Sequence, residues 1–418
     1  MILGFELTQS PARGNRHTTR AALAKWRRIA MDSKVPKEIL EGSIEQKLAF
    51  FDDQYIPHHH LEVALEDLVE KIINAGPETL IYVIGPGGLG KSALKREIKR
   101  ELNAKFKEEL EIDKERILLV DYEIEMPDVT LTWPECLRGL LYACGEPLVE
   151  RKLAATRIPG AELVRASQLS ADRYLRSYKN FRKHRRPLVV IFDDAHNLAK
   201  NRSKHLEWVL DPLIGMCRPT PHVLIGAPLL MRLRNLSFQI GHRSADVFLH
   251  SYNCLDLEDQ THYATALLRM EPLIPTAKPP DLVGNVEYLM TGALGLVGFT
   301  RRWLRSALEL ALRRGSNTIE LEHLQLTFPE EGKRREAAKE IYQLESQLLN
   351  GKKEAFDEAM KQFNEVEEKL AAKAKSDAAK RSRGKASAVQ ARRKSAAVGK
   401  RNPCRDSTEM PEEFQRAG

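Results

Sequence analysis

The stretch Gly85-Pro86-Gly87-Gly88-Leu89-Gly90-Lys91-Ser92 constrains what this chain can fold into more than any other. Before it runs Thr79-Leu80-Ile81-Tyr82-Val83-Ile84, an apolar, β-branched segment of the kind buried in a parallel sheet. After it, from Ala93 onward, Leu94 and Ile98 stand four apart with charges between them, which reads as a helix. A loop between such a strand and such a helix can turn its backbone N–H groups around phosphates. The spacing G-x-x-x-x-G-K-S is that of a phosphate-binding loop. Gly85, Pro86, Gly87, Gly88, Leu89, Gly90, Lys91, Ser92 and Ala93 are therefore the expected contacts of a nucleoside triphosphate. Lys91 would reach the β- and γ-phosphates and Ser92 would hold the metal, so ATP and Mg²⁺ are the expected cofactors.

A second motif supports the first. Pro187-Leu188-Val189-Val190-Ile191-Phe192-Asp193-Asp194-Ala195-His196 is an all-apolar strand that delivers carboxylates at its C-terminal end, where ligands bind in open α/β sheets. Asp193 is the candidate Mg²⁺ ligand, and Asp194 is the candidate for orienting or deprotonating the attacking water. Residues 117–121, 222–228 and 246–250 read as three further strands, which makes five with 79–84 and 188–193. Arg232, Arg234 and Arg243 lie between the last two; Arg243, just before a strand, is the candidate to project into a neighbouring subunit's site. Residues 259–270, 280–290 and 299–314 read as helices of a small second domain. Arg301, Arg302 and Arg305 open the last of these, and Arg301 and Arg302 are candidates to reach back to the γ-phosphate.

Charge points to an anionic partner. The 418 residues carry a formal net charge of +8. Arg173, Arg176, Lys179, Arg182, Lys183, Arg185 and Arg186 fall close together with Tyr174, Tyr178 and Phe181 interleaved and few acids, which suits contact with the phosphates of double-stranded DNA. Residues 371–405 hold twelve Lys or Arg against one acid, Asp377, and read as a basic tail for a nucleic-acid backbone. Residues 1–30 are basic as well. Residues 330–370 read as a long charged helix of coiled-coil or docking type. The five cysteines show neither C-x-x-C pairing nor metal-ligand spacing. His58, His59 and His60 precede a clear amphipathic helix, 61–73, and read as its lead-in and cap, placed to cover a nucleotide base. No apolar run approaches the length of a membrane span, so a soluble, cytoplasmic protein without membrane contact is expected.

Five strands, a P-loop, an acidic strand end and a helical second domain resemble an AAA+ ATPase module. The fold expected is α/β: a P-loop core with a parallel five-stranded sheet over 50–255, a small helical lid over 256–328, a charged helix over 329–370 and a basic tail over 371–418, behind a basic arm over 1–49. The finer resemblance is to transposition regulators of the TniB/TnsC type. It rests on 84–92, 189–198, 223–228, Thr291-Gly292-Ala293-Leu294-Gly295-Leu296-Val297 and Ile319-Glu320-Leu321-Glu322-His323-Leu324. That resemblance implies assembly with ATP on DNA as a ring or filament, linking a target selector to a transposase. Two positions depart from the family pattern: its Asp-Glu strand end is Asp193-Asp194, and the threonine after the glycine of the fourth strand is Ala227. Both leave ATP binding intact and imply slow hydrolysis. The alternatives are another DNA-bound AAA+ loader, of the replication-origin or helicase-loading type, and a signalling NTPase that never touches nucleic acid.

Overall fold

The computed structural model describes residues 35–76, 79–125, 132–149, 166–200, 206–239 and 244–348. Five strands form one sheet: β1 Leu80–Ile84, β2 Leu119–Glu123, β3 Val189–Asp193, β4 His222–Gly226 and β5 Ser244–Phe248. Their order is β2-β3-β4-β1-β5, and every pairing is parallel. The helices are α1 Lys37–Leu40, α2 Ile44–Asp53, α3 His59–Ile73, α4 Lys91–Lys105, α5 Lys107–Ile112, α6 Trp133–Ala143, α7 Ala166–Arg185, α8 His196–Ala199, α9 Glu207–Met216 and α10 Met231–Gln239. The chain continues through α11 Leu257–Met270, α12 Val286–Gly292, α13 Val297–Arg313, α14 Leu321–Leu326 and α15 Glu331–Leu348.

The three inner strands are buried along their whole length, which is why they read in the sequence as unbroken apolar runs. The edge strands differ from expectation by two residues each, for one physical reason. An edge strand is half open to water and tolerates polar residues. β2 therefore continues through Asp121 and Glu123 as long as β3 offers a partner, pairing Glu123 with Asp193. β5 starts early, at Ser244, in register with Leu80, and its polar Asp246 is held by Arg234 Nε at 3.1 and 3.2 Å.

Helices cover both faces. Tyr82, Val190, Phe192 and Leu224 pack with Leu140, Tyr174, Tyr178, Phe181 and Leu213 on one side. Ile81, Val83, Ile191 and Ile225 pack with Leu61, Leu68, Leu94 and Ile98 on the other. A third cluster builds the helical lid from α11 to α14, and α2 joins it through Leu48 and Phe51. The lid thus recruits residues that precede the P-loop. The helix α2 is well delimited at its start, where Ser43 and Gln46 form a reciprocal capping box.

The last helix, α15, is not a separate appendage. Arg334, Ala337, Ala338, Ile341 and Leu344 are buried. Ala337 and Ile341 join one face cluster of the sheet and Leu344 joins the other. Residues 356, 360, 363 and 370, which carry the heptad-like part of the coiled-coil reading, lie outside the described residues. Among the described residues, no helix is long and apolar enough to cross a membrane.

His222 opens β4 in full burial. Its Nδ1 lies 2.8 Å from the Thr220 carbonyl and its Nε2 2.9 Å from Tyr178 Oη. The carbonyl can only accept, so Nδ1 carries the proton and Nε2 accepts from the tyrosine. Burial lowers the imidazole pKa to about 3. Below pH 6.5 the unfolded chain takes up a proton here that the folded chain refuses, so acidification favours unfolding. Urea unfolding should show stability falling from pH 6.5 toward pH 4, with His222 contributing roughly 1.4 kcal/mol per pH unit. His222→Phe should remove that share of the slope.

Candidate nucleotide site

Because all five strands are parallel, their C-terminal ends share one edge, where open α/β sheets bind ligands. β1 delivers Gly85 to that edge, β3 delivers Asp193, and β4 delivers Ala227. The Gly85 N–H donates to the Gly226 carbonyl at 3.2 Å, which ties the start of the loop to the neighbouring strand. The loop then turns through Gly88, whose φ of +85° disfavours any side chain, and enters α4 at Lys91.

The lid meets the loop backbone to backbone. The Gly298 N–H, at the start of α13, donates to the Gly88 carbonyl at 2.8 Å. A Cβ on Gly298 would lie 2.7 Å from that oxygen, so only glycine permits the approach.

Lys91 folds back on its own loop. Its Nζ donates to the carbonyls of Gly85 at 2.8 Å and Pro86 at 2.9 Å. Burial lowers its pKa, opposed by the carboxylates of Glu340, Asp194 and Asp193 and reinforced by Arg302. Ser92 is exposed in the first turn of α4. Asp193 is buried and its carboxylate is 2.8 Å from Lys95 Nζ, which also lies 3.1 Å from Asp121. Asp194 takes a left-handed turn, φ +50°, a conformation aspartate tolerates better than most residues. Its N–H donates to Asp193 Oδ1 at 2.9 Å, and its own half-exposed carboxylate lies 3.7 Å from His196 Nδ1. The two carboxylates are thus sent to different partners: Asp193 to Lys95 on α4, Asp194 toward His196.

The arginines of α13 separate. Arg302 turns to the loop, and its Nη2 lies 3.0 Å from where a Cβ on Gly88 would sit. Arg301 turns away: it donates to the carbonyls of Phe51, at 2.9 Å, and Asp52. Arg305 pairs with the Asp52 carboxylate at 2.7 Å. The expectation that Arg301 contacts nucleotide is therefore corrected; in this structure it ties the lid to the end of α2. Arg243 lies outside the described residues. Arg234 is committed to Asp246, and Arg232 donates to the Ala199 carbonyl at 3.1 Å.

The basic stretch of α7 also divides by helical face. Tyr174, Tyr178 and Phe181 are core residues and offer no stacking surface. Arg182 is buried with them; it donates to the carbonyls of Met216 and, at 2.6 Å, Arg218, and so closes the end of α9. Its reading as a DNA contact is corrected accordingly. Arg185 donates to the Glu115 carbonyl at 3.2 Å, and Arg186 pairs with Asp113. Arg173 is half-buried. Arg176, Lys179 and Lys183, spaced to share one face, are exposed. Residues 371–405 lie outside the described residues.

The three histidines diverge. His58 Nδ1 lies 3.0 Å from Tyr252 Oη, His59 stacks on His262 at 4.0 Å, and His60 stacks on Tyr252 at 4.0 Å. His58 is the N-cap residue of α3, without a side-chain cap hydrogen bond. Among the described residues no group of three or more His, Cys, Asp or Glu is arranged to hold a metal.

Two members of the site were not foreseen. Lys95 follows Lys91 by one helical turn, a spacing that places both on one face and could have been noticed. Glu340, on α15, accepts from the Gly87 N–H at 2.6 Å. It comes from 253 residues away, inside a run of alternating charges, and carries no local signal.

Residues 74–233 match the family model described as AAA domain. No curated protein matches the sequence. Solved structures similar to this chain include the ORC2 protein of Aeropyrum pernix, at 15% identity over 72% of this chain and 79% of that one, with a TM-score of 0.46. Another is Drosophila ORC bound to DNA, at 14% identity over 76% of each chain and a TM-score of 0.43. The Thermotoga maritima RuvB Holliday junction branch migration motor aligns at 13% identity over 64% of this chain and 65% of that one, with a TM-score of 0.34. The family match and the parallel sheet with its P-loop agree: residues 74–233 have the fold of an AAA+ P-loop ATPase core, and a helical lid follows it.

Proposed function

We propose that this chain is an ATP-dependent switch that assembles on duplex DNA and, in its ATP form, presents that DNA to a partner enzyme. The observation that carries the nucleotide half is the gathering of the Gly87 N–H, Lys91 and Arg302 at the loop, on the same C-terminal edge of the sheet where Asp193 ends β3 and Asp194 follows it. One of these donors, the Gly87 N–H, already takes up a carboxylate, that of Glu340, so an anion fits there. In this reading Lys91 and the loop N–H groups bind the β- and γ-phosphates, and Ser92 and Asp193 hold Mg²⁺. The metal, when bound, neutralises phosphate charge. Asp194 aligns the attacking water, Arg302 reports the γ-phosphate to the lid, and Arg243 completes a neighbour's site. Ala227 brings only a methyl to the end of β4, which fits slow turnover.

The DNA half rests on charge. Arg176, Lys179 and Lys183 line the solvent face of α7, and the tail adds a second basic surface in the sequence. Such residues hold the backbone without reading bases. The partner, on the resemblance of 291–297 and 319–324, is a transposase with its target selector. A replication-origin or helicase loader uses the same module and the same charges, and the genes adjoining this one separate the two: a transposase gene beside it favours the first.

Lys91→Ala should abolish ATP binding measured by calorimetry; unchanged affinity would remove the nucleotide site from this loop. Arg302→Ala should weaken ATP binding, whereas Arg301→Ala should leave affinity intact and lower the melting temperature through the lost tie to α2. Asp194→Asn should still bind ATP and release phosphate about 100-fold more slowly. Fluorescence anisotropy on duplex DNA at several salt concentrations should show affinity falling steeply with salt. Replacing Arg176, Lys179 and Lys183 by alanine should flatten the log–log slope by up to about 3. An unchanged slope would place the DNA track elsewhere.

A further inference from the structure

We propose that α15 is an autoinhibitory strap: the carboxylate of Glu340 occupies the anion position of the P-loop and must leave before the nucleotide's phosphates can enter. This rests on the nucleotide-site reading given above.

The Gly87 N–H donates to Glu340 Oε2 at 2.6 Å, a short contact of the charge-assisted kind. Glu340 is, with Asp194 and Asp193, one of the carboxylates whose charge opposes the effect of burial on the Lys91 ammonium. Arg302 presents its guanidinium to the same loop, at Gly88. A loop N–H, an ammonium and a guanidinium are the donors a phosphate group would use. A carboxylate has the charge sign and the acceptor oxygens to stand in for one. Glu340 already holds the Gly87 N–H, and a phosphate brought to that donor would meet a second negative charge, so Glu340 and the triphosphate exclude each other.

The helix is held across the site. Arg334 is buried and donates to the carbonyls of Gly292, at 3.0 Å, and Thr291, at 3.4 Å, at the end of α12, with its guanidinium 5.0 Å from the Phe328 ring. Six residues further on comes Glu340; Ile341 beside it and Leu344 a turn later pack into the opposite face clusters of the sheet. The strap is therefore anchored on the lid at one end and on the core at the other, with the carboxylate between. No lysine or arginine stands three or four residues from Glu340 on α15, and its carboxylate reaches the loop backbone.

The test uses the full-length protein in four forms: wild type, Glu340→Gln, Glu340→Ala and Lys91→Ala. Each is titrated with a fluorescent ATP analogue and Mg²⁺, and its melting temperature is recorded. The expected result is affinity at least about tenfold tighter in both Glu340 variants than in the wild type, the effect of removing one charged competitor. Equal or weaker affinity in the Glu340 variants, with the wild type still binding, overturns the strap; so does a lowered melting temperature with no gain in affinity, which marks Glu340 as structural only. If neither the wild type nor the Glu340 variants bind better than Lys91→Ala, the nucleotide-site reading itself falls and the strap with it.

Discussion

The parallel pairing of β1 on both of its edges is the constraint from which the nucleotide edge is hung. Leu80 to Ile84 bond to β4 on one side and β5 on the other, and all five side chains are buried between two helical layers. A strand so held cannot slip without carrying its apolar residues out of both faces. Its end is fixed in turn: the Gly85 N–H bonds to Gly226, and Leu249 bonds back to the Ile84 carbonyl at 2.9 Å. The loop that follows starts from a rigid point, and so does the helix it opens. Lys91 and the β3 carboxylates are brought into one electrostatic neighbourhood by this ladder, not by contacts of their own.

The lid depends on a finer constraint. Gly298 and Gly88 touch through their backbones, which brings the start of α13 onto the loop and with it Arg302. On the far side of the same helix Arg301 and Arg305 grip the end of α2. One helix thus joins the segment before the P-loop to the loop itself, and α15 adds a second bridge between lid and core.

Much of this was legible in the sequence. The inner strands and the P-loop declared themselves because full burial confines polar residues to the strand ends, at His222 and Asp193, and because the loop has a fixed spacing. The edge strands were misplaced by two residues because Glu123 and Ser244, at the ends that were missed, are polar residues that an open edge accepts. The α7 stretch was misread in part: arginine and lysine interleaved with aromatics describes a phosphate-binding surface, but at 3.6 residues per turn it equally describes a core face of Tyr174, Tyr178 and Phe181 backed by a charged one. Arg182 fell on the wrong side of that division. Arg301 and Arg302 are neighbours in sequence yet about 100° apart around the helix, so only one can face the loop. Glu340 was illegible, since its partner lies 253 residues away and nothing in a charged helix distinguishes one glutamate from the next.

Hydrogen–deuterium exchange of the full-length protein with and without ATP and Mg²⁺ tests the central claim most directly, because it reads the loop and the strap in one sample. A nucleotide held by the P-loop and opposed by Glu340 predicts slower exchange over residues 85–92 together with faster exchange over residues 331–348. Unchanged exchange over 85–92 at saturating ATP would contradict a nucleotide site at this loop.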